Sequence, residues 1–201
     1  MSVLIRRSYR FRIYPTPEQV AQVSGWENGL RWLWNVMHAE RIHKLESECK
    51  QPTAFDQING LTTLRKKLPW LAEVPRNVCA QVIVELDKAW QRGFSKLSQM
   101  PQFKRVVRGE RAPLIEPHAK VFRVEGDGRH GAVVFPKLGK IRTLIHRELE
   151  GTAKTCAVVR DGDYWFVAIS CELEIAEPTP SRKPAVAIDR GVVNLGPFKT
   201  A

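Results

Sequence analysis

Apolar and cationic residues alternate strictly near the start of the chain. In the stretch SYRFRIY, Tyr9, Phe11 and Ile13 alternate with Arg10 and Arg12. A period of two places the apolar side chains on one face of a β-strand and the arginines on the other. The pattern therefore predicts a strand with a buried face and a cationic face. Arginine favours phosphate contacts here, and an edge strand kept soluble by its charge is the alternative.

The apolar period then changes to three and four residues, which is typical of helices. Thr16, Pro17 and Gln19 match an N-cap, a first helical position and a capping box. The sequence predicts a helix from this point to about Cys49, either continuous or broken near Gly25–Gly29.

Two further helices are predicted, over residues 56–67 and from Arg76 to about Ser98, where the apolar stripe is continuous. Trp26, Trp32 and Trp34 cluster in the first helix. Packing in the core is the expected role of these tryptophans, and stacking of one of them on a nucleobase is the alternative.

The pattern returns to short β-strands after Pro101, and their spacing suggests a small barrel or sandwich. The run GDGRHG over residues 126–131 matches G-x-G-x-x-G, but a β-branched strand follows it where a dinucleotide site needs a helix. We therefore interpret the run as a hairpin turn. Asp161-Gly162 predicts a type I′ turn between two longer strands, over 154–160 and 164–173.

Composition narrows the function classes. The chain has 201 residues, with 32 Lys and Arg against 21 Asp and Glu, and a net charge of +11. This excess makes nucleic acid the first partner to consider. No apolar run approaches the roughly 18–20 residues of a membrane span, and the first residues are too short for a signal peptide, which predicts a cytoplasmic protein without a membrane partner.

The cysteines and histidines predict no metal centre of their own. Cys49, Cys79, Cys156 and Cys171 are scattered without the spacing of a zinc site. We expect four reduced and mostly buried thiols, and no zinc.

Taken together, these motifs resemble the TnpB/OrfB family of transposon-encoded, RNA-guided DNA nucleases, which are related to type V CRISPR effectors. The resemblance runs over nearly the whole chain and rests on the order and spacing of four runs: Tyr9–Gln19 with Arg31–Asn35, Val74–Phe94 with Pro101–Lys104, Phe135–Arg142 with His146-Arg147, and Tyr164–Ile169 with Ala187–Val192.

The resemblance implies an α+β fold. It consists of a small, wedge-like β-barrel (1–14 and 101–177) interrupted by a helical recognition insertion (15–100). A linker (178–184) and the first strand of an RNase H-like (RuvC) domain (185–201) follow.

Asp189 matches the first catalytic carboxylate of that RuvC domain. Hydrolysis of a phosphodiester by two metal ions needs several carboxylates converging on the metals, and no Asp or Glu follows Asp189. The resemblance therefore implies Mg²⁺ only for a complete nuclease. We expect this chain to be the binding half of one, from a truncated or frameshifted gene or as part of a longer active endonuclease.

In the family, this half binds guide RNA and target DNA. The candidate phosphate contacts are Arg6, Arg10, Arg12, Lys104, Arg105, Lys137, Lys140 and Arg142. Asn77 and Gln81, four residues apart on a helix, are candidates for contacts to base edges beside the target. A basic, repressor-like DNA-binding protein without nuclease ancestry, and a non-functional fragment, are the alternatives. The oligomeric state stays open.

Overall fold

A computed structural model gives the structure of the chain. It describes residues 2–106, 113–126 and 128–177, together with the backbone of 186–187 and 199–200. The helices are α1 (Pro17–Glu46), α2 (Ala54–Lys67), α3 (Pro69–Glu73) and α4 (Arg76–Phe94). The strands are β1 (Ser2–Tyr14), β2 (Leu114–Glu116), β3 (Arg123–Glu125), β4 (Ala132–Phe135), β5 (Gly139–Leu144), β6 (Thr152–Asp161), β7 (Tyr164–Ala176), β8 (Val186–Ala187) and β9 (Lys199–Thr200).

The predicted α+β class is confirmed. Seven strands form one sheet in the order β2-β6-β7-β1-β5-β4-β3, and neighbouring strands such as β1 and β5 are antiparallel. Within the described residues, β2 and β3 are the two ends of this order. The predicted antiparallel sheet is therefore confirmed, but in the described residues it is open and does not close into a barrel.

The chain divides into two compact units. One comprises residues 6–173 and contains the four helices and most of the sheet. The other comprises residues 1–5 and 174–201, and within it the Ser2 hydroxyl donates a hydrogen bond to Glu174. In this second unit, β8 pairs with β9 in an antiparallel manner.

Helix α1 is continuous, and its start is as predicted. The Thr16 hydroxyl accepts from the backbone N–H of Gln19, whose side-chain oxygen accepts in turn from the Thr16 N–H (3.3 and 3.0 Å). Gly29 lies within the unbroken helix, and its missing side chain makes room for the Trp70 ring, only 3.1 Å from where a Cβ would lie. Helix α4 ends at Phe94, four residues earlier than predicted, and Lys96 just beyond it adopts a left-handed conformation (φ 57°).

The turn between β6 and β7 differs from the prediction. Asp161 pairs with Tyr164, so Gly162 and Asp163 are the two central residues of the turn. Only Gly162 has a positive φ (58°), which is the pattern of a type II′ turn and not of type I′. The hairpin itself is confirmed, and so is the hairpin connection around Gly126, because β4 and not a helix follows it.

The helices and the sheet of the larger unit share one hydrophobic core. Phe11 and Ile169 contribute from the sheet, and Leu33, Leu86 and Trp90 contribute from α1 and α4. The predicted domain boundaries at 14/15 and 100/101 stay predictions.

A buried polar network joins three of the helices. Arg41 of α1 donates to the Gln57 side-chain oxygen of α2 (3.0 Å) and to Asp87 of α4 (2.8 Å). Because a buried guanidinium needs such partners, these bonds fix how the three helices pack.

Candidate nucleic-acid interface

The alternation in β1 produces two different faces, as predicted. Tyr9, Phe11 and Ile13 are buried in the core, whereas Arg10 and Arg12 are exposed on the opposite face of the sheet. Since β-strand side chains alternate between faces, the buried aromatic and aliphatic residues fix the direction in which the arginines point.

On this outer face, arginines and aromatic rings stack across β7, β1 and β5. The Cζ atom of Arg10 lies 3.7 Å from the centre of the Phe166 ring. The Arg12 Cζ lies 4.1 Å from the Tyr164 ring and 5.3 Å from the Tyr14 ring.

The stack continues onto β5, where the Arg142 Cζ lies 4.7 Å from the centre of the Tyr14 ring. The two residues are direct partners in the pairing of β1 with β5. We call the whole set the arginine–aromatic row, which consists of Arg10, Arg12, Tyr14, Arg142, Tyr164 and Phe166.

Carboxylates neutralise some of the predicted cations. Arg6 pairs with Glu172 at 2.9 Å, and Arg10 pairs with Asp161 at 2.6 Å. Hydrogen bonds from Lys154, which has the larger effect, and from Arg6 lower the pKa of Glu172. These two arginines are therefore partly compensated.

Within the part of the chain that the structure describes, Arg12 and Arg142 have no carboxylate within ion-pair distance. Lys140, two residues before Arg142 on the same face, pairs with Glu125 at 3.2 Å. The centre of the row thus carries two guanidinium groups that no carboxylate of the described residues compensates.

Helix α1 holds a second cationic segment in place. The Asn35 side chain accepts from the Lys104 backbone N–H (2.8 Å) and donates to the Lys104 carbonyl (3.0 Å). The Trp34 indole donates to the Gln102 carbonyl (3.1 Å). Because these bonds fix residues 102–104, the Lys104 ammonium lies 3.9 Å from the centre of the Trp34 ring. Arg105 follows and is exposed.

Lys104 borders a cleft of about 90 Å³ that Trp34, Gln81 and Glu85 also line. Partial burial lowers the pKa of the Lys104 ammonium, and Glu85 acts in the opposite direction. The Gln81 amide donates to Glu85 at 2.7 Å, which fixes its orientation. The structure thus brings two predicted site residues, Gln81 and Lys104, into one cleft.

Asn77 has a different environment from Gln81. Its amide donates to the Glu116 carboxylate (3.1 Å), which is fully buried on β2 and also accepts from the His118 backbone N–H (3.1 Å).

Lys137 lies in the turn between β4 and β5, and its ammonium donates to the Ala72 carbonyl at the end of α3 (2.6 Å). The predicted cations consequently occupy more than one surface region.

The predicted metal ligand Asp189 lies outside the described residues, as does the predicted linker. In the part that the structure does describe, no group of three or more His, Cys, Asp or Glu side chains is arranged to hold a metal ion. The four cysteines are free thiols, three of them buried, and burial raises the pKa of Cys79 to about 11. None of the described helices is long and apolar enough to cross a membrane.

The aromatic members of the row were missed from the sequence. A signal for two of them was present, because the alternation in β7 that buries Trp165 and Val167 necessarily places Tyr164 and Phe166 on the other face. No such local signal existed for the contact of Tyr14 with Arg142, which depends on strand pairing.

A cationic sheet face with interleaved aromatic rings is typical of nucleic-acid-binding proteins. Residues 1–50 match a family described as a helix-turn-helix domain (HTH_OrfB_IS605). The described residues 2–50 contain β1 and the single helix α1, so this match covers a strand and one long helix and not two helices joined by a turn.

Two curated relatives match nearly the whole chain. "Putative RNA-guided DNA endonuclease InsQ" of Escherichia coli (strain K12) is 23% identical over 94% of this chain and 46% of its own length. A "Putative RNA-guided DNA endonuclease" of Streptomyces pristinaespiralis is 28% identical over 98% of this chain and 48% of its own length. These matches confirm the predicted resemblance to the TnpB/OrfB family. The chain spans about half the length of these relatives.

Proposed function

We propose that this chain binds guide RNA and target DNA, and that the arginine–aromatic row is a main contact surface for their phosphate backbones. The observation that carries the proposal is the pair Arg12 and Arg142, stacked on aromatic rings without carboxylate partners in the described residues. A guanidinium that stacks on a ring keeps its N–H edge free, and that edge donates bidentate hydrogen bonds to phosphate oxygens.

The charge on this face supports the same proposal. Among the described residues, a phosphate that approaches Arg12 or Arg142 has no carboxylate to displace, in contrast to one that approaches Arg10. The rings of Tyr14 and Tyr164 hold both guanidinium groups in place before binding, which lowers the entropy that binding costs. The names of the two relatives, which describe RNA-guided DNA endonucleases, favour guide RNA and target DNA as the source of the phosphates.

The cleft beside Lys104 is the second part of the proposed interface. Gln81 presents an amide there whose orientation Glu85 fixes, and a side-chain amide of this kind suits the edge of an adenine base. Lys104 would supply a nearby positive charge. The metal-binding role of Asp189, and with it the need for Mg²⁺, stays a prediction from the resemblance.

The test is a titration of the purified protein by fluorescence anisotropy. The labelled probes are a structured RNA, an RNA–DNA heteroduplex and a DNA duplex of equal length, each measured between about 50 and 300 mM salt. We expect RNA to copurify with the protein, and we expect affinity for RNA and heteroduplex that falls steeply with salt. Affinity that is indifferent to salt would refute the proposal, and a preference for the DNA duplex would favour the repressor-like alternative.

A further inference from the structure

Two of the six tryptophans are partly exposed. Trp32 on α1 and Trp70 on α3 are 36% and 44% exposed, and their rings meet edge to face with centres 5.0 Å apart. The other four tryptophans are buried, with 9% exposure or less: Trp26, Trp34, Trp90 and Trp165. Contiguous exposed apolar surface marks an interaction site more often than isolated exposed residues do.

The backbone holds this pair in a fixed position. Pro69 begins the short helix α3, so that Trp70 follows immediately on its first turn. The Trp70 ring lies against Gly29 of α1, where a Cβ would be only 3.1 Å from it. Trp32 is three residues further along α1 and therefore meets the same ring. The exposed parts of the two indoles are thus oriented by packing beneath them.

Several cationic residues are close to the two tryptophans along the chain. Arg31 precedes Trp32 directly, and Lys66 and Lys67 end α2 just before α3 begins. Lys137 approaches from the sheet and binds the carbonyl of Ala72 on α3, two residues after Trp70 (2.6 Å). The acidic residue of α3 is Glu73. An aromatic surface with cationic residues on the same and neighbouring elements suits a polyanion that carries flat, apolar rings.

We propose that Trp32 and Trp70 form a stacking platform for an unpaired base of a bound single strand, separate from the arginine–aromatic row. Every nucleobase has a π-face, so such a platform binds bases without strong sequence preference. The surrounding lysines would attract the flanking phosphates. The inference rests on the proposed nucleic-acid binding and adds to it the kind of ligand, a single strand, and the place where its base lies.

The test uses two oligonucleotide probes, (rA)₁₂ and (dA)₁₂, and a blunt DNA duplex of the same length. Trp32→Ala and Trp70→Ala are compared with Phe55→Ala, which removes an exposed ring from α2 (71% exposed) and serves as the control. Since stacking contributes about 1–3 kcal/mol per base, we expect single-strand affinity to fall roughly 5- to 150-fold in each tryptophan variant. In both tryptophan variants, the salt dependence and the affinity for the duplex should stay as in the wild type. The Phe55→Ala control should bind all three probes as the wild type does.

Two further measurements guard against misfolding of a variant. In the wild type, each single strand quenches part of the tryptophan fluorescence on binding, and Trp70→Phe keeps most of the affinity because it keeps a ring. Comparison of (rA)₁₂ with (dA)₁₂ shows whether the strand is RNA or DNA.

Two failures are distinguishable in this experiment. If the probes bind with steep salt dependence but both tryptophan variants bind as the wild type does, the platform is wrong and the proposed function stands. If the wild type binds no probe, both are wrong. Loss of self-association in Trp70→Ala, with unchanged oligonucleotide affinity, would also overturn the platform and assign the pair to a protein contact.

Discussion

Replacing Arg12 and Arg142 together by glutamine tests whether the row contacts phosphates. The change removes two guanidinium groups from the exposed face, where their stacking on Tyr14 and Tyr164 rings (4.1–5.3 Å) holds them in place. Both are outside the core, and an exposed cation–π contact contributes only about 0.5–1 kcal/mol. The folded structure should therefore survive the substitution, and a change in binding can be interpreted.

The size of the effect follows from how many phosphate groups the variant no longer binds. Each phosphate contact contributes about 0.7 for a single strand, or about 0.9 for a duplex, to the slope of log affinity against log salt. Removal of both guanidinium groups should therefore lower the slope by about 1.4–1.8. If the two proteins bind alike near 1 M salt, the variant is about 14- to 30-fold weaker near 0.15 M, or about 1.6–2 kcal/mol.

The assay is anisotropy with the structured RNA over a series of salt concentrations. The control is Lys50→Gln with Arg92→Gln, which removes the same net charge from exposed positions outside the sheet. We expect the control to change the slope by less than half as much as the row variant does. An equal change in both double variants would mean that only the total charge matters, and the assignment of the row would be refuted.

Three further predictions concern stability, each measured by urea unfolding. Gly151→Ala should destabilise clearly more than Gly162→Ala. Both glycines have positive φ, which costs an alanine about 1–2 kcal/mol, but of the two only Gly151 would bring a Cβ into a clash with backbone, at the Glu172 carbonyl. Equal losses of stability would contradict this. Arg65→Met should lower the free energy of unfolding by about 1–3 kcal/mol, because the Arg65 guanidinium donates to three backbone carbonyls at the end of α3. An unchanged stability would refute this capping role. Burial lowers the pKa of His38, whose Nδ1 accepts from the Trp90 indole (3.1 Å). The contribution of neutral His38 to the free energy of unfolding is therefore complete above about pH 6.5 and declines as the pH falls below that value. His38→Asn should flatten this decline. An unchanged pH profile would exclude His38 as its source.

The elements whose signals are local could be predicted closely from the sequence. The capping box of Thr16 and Gln19 depends on residues three apart, and both of its hydrogen bonds are present. The two faces of β1 follow from alternation alone. Local signals were less precise for the type and position of the β6–β7 turn, which depend on backbone geometry. Its central residues are Gly162 and Asp163, one residue later than predicted.

Residue types along the chain therefore determined the secondary structure, the basic character and the family resemblance, because these depend on near neighbours and on composition. Only the tertiary structure decided which cations have a carboxylate partner among the described residues. Arg10 and Arg12 look alike in the sequence, yet one pairs with Asp161 and the other stacks on Tyr164. In the same way, only packing decided that Trp32 meets Trp70 at the surface. Contacts of this kind depend on which distant strands and helices come together, and this information is not carried by any single stretch of the chain.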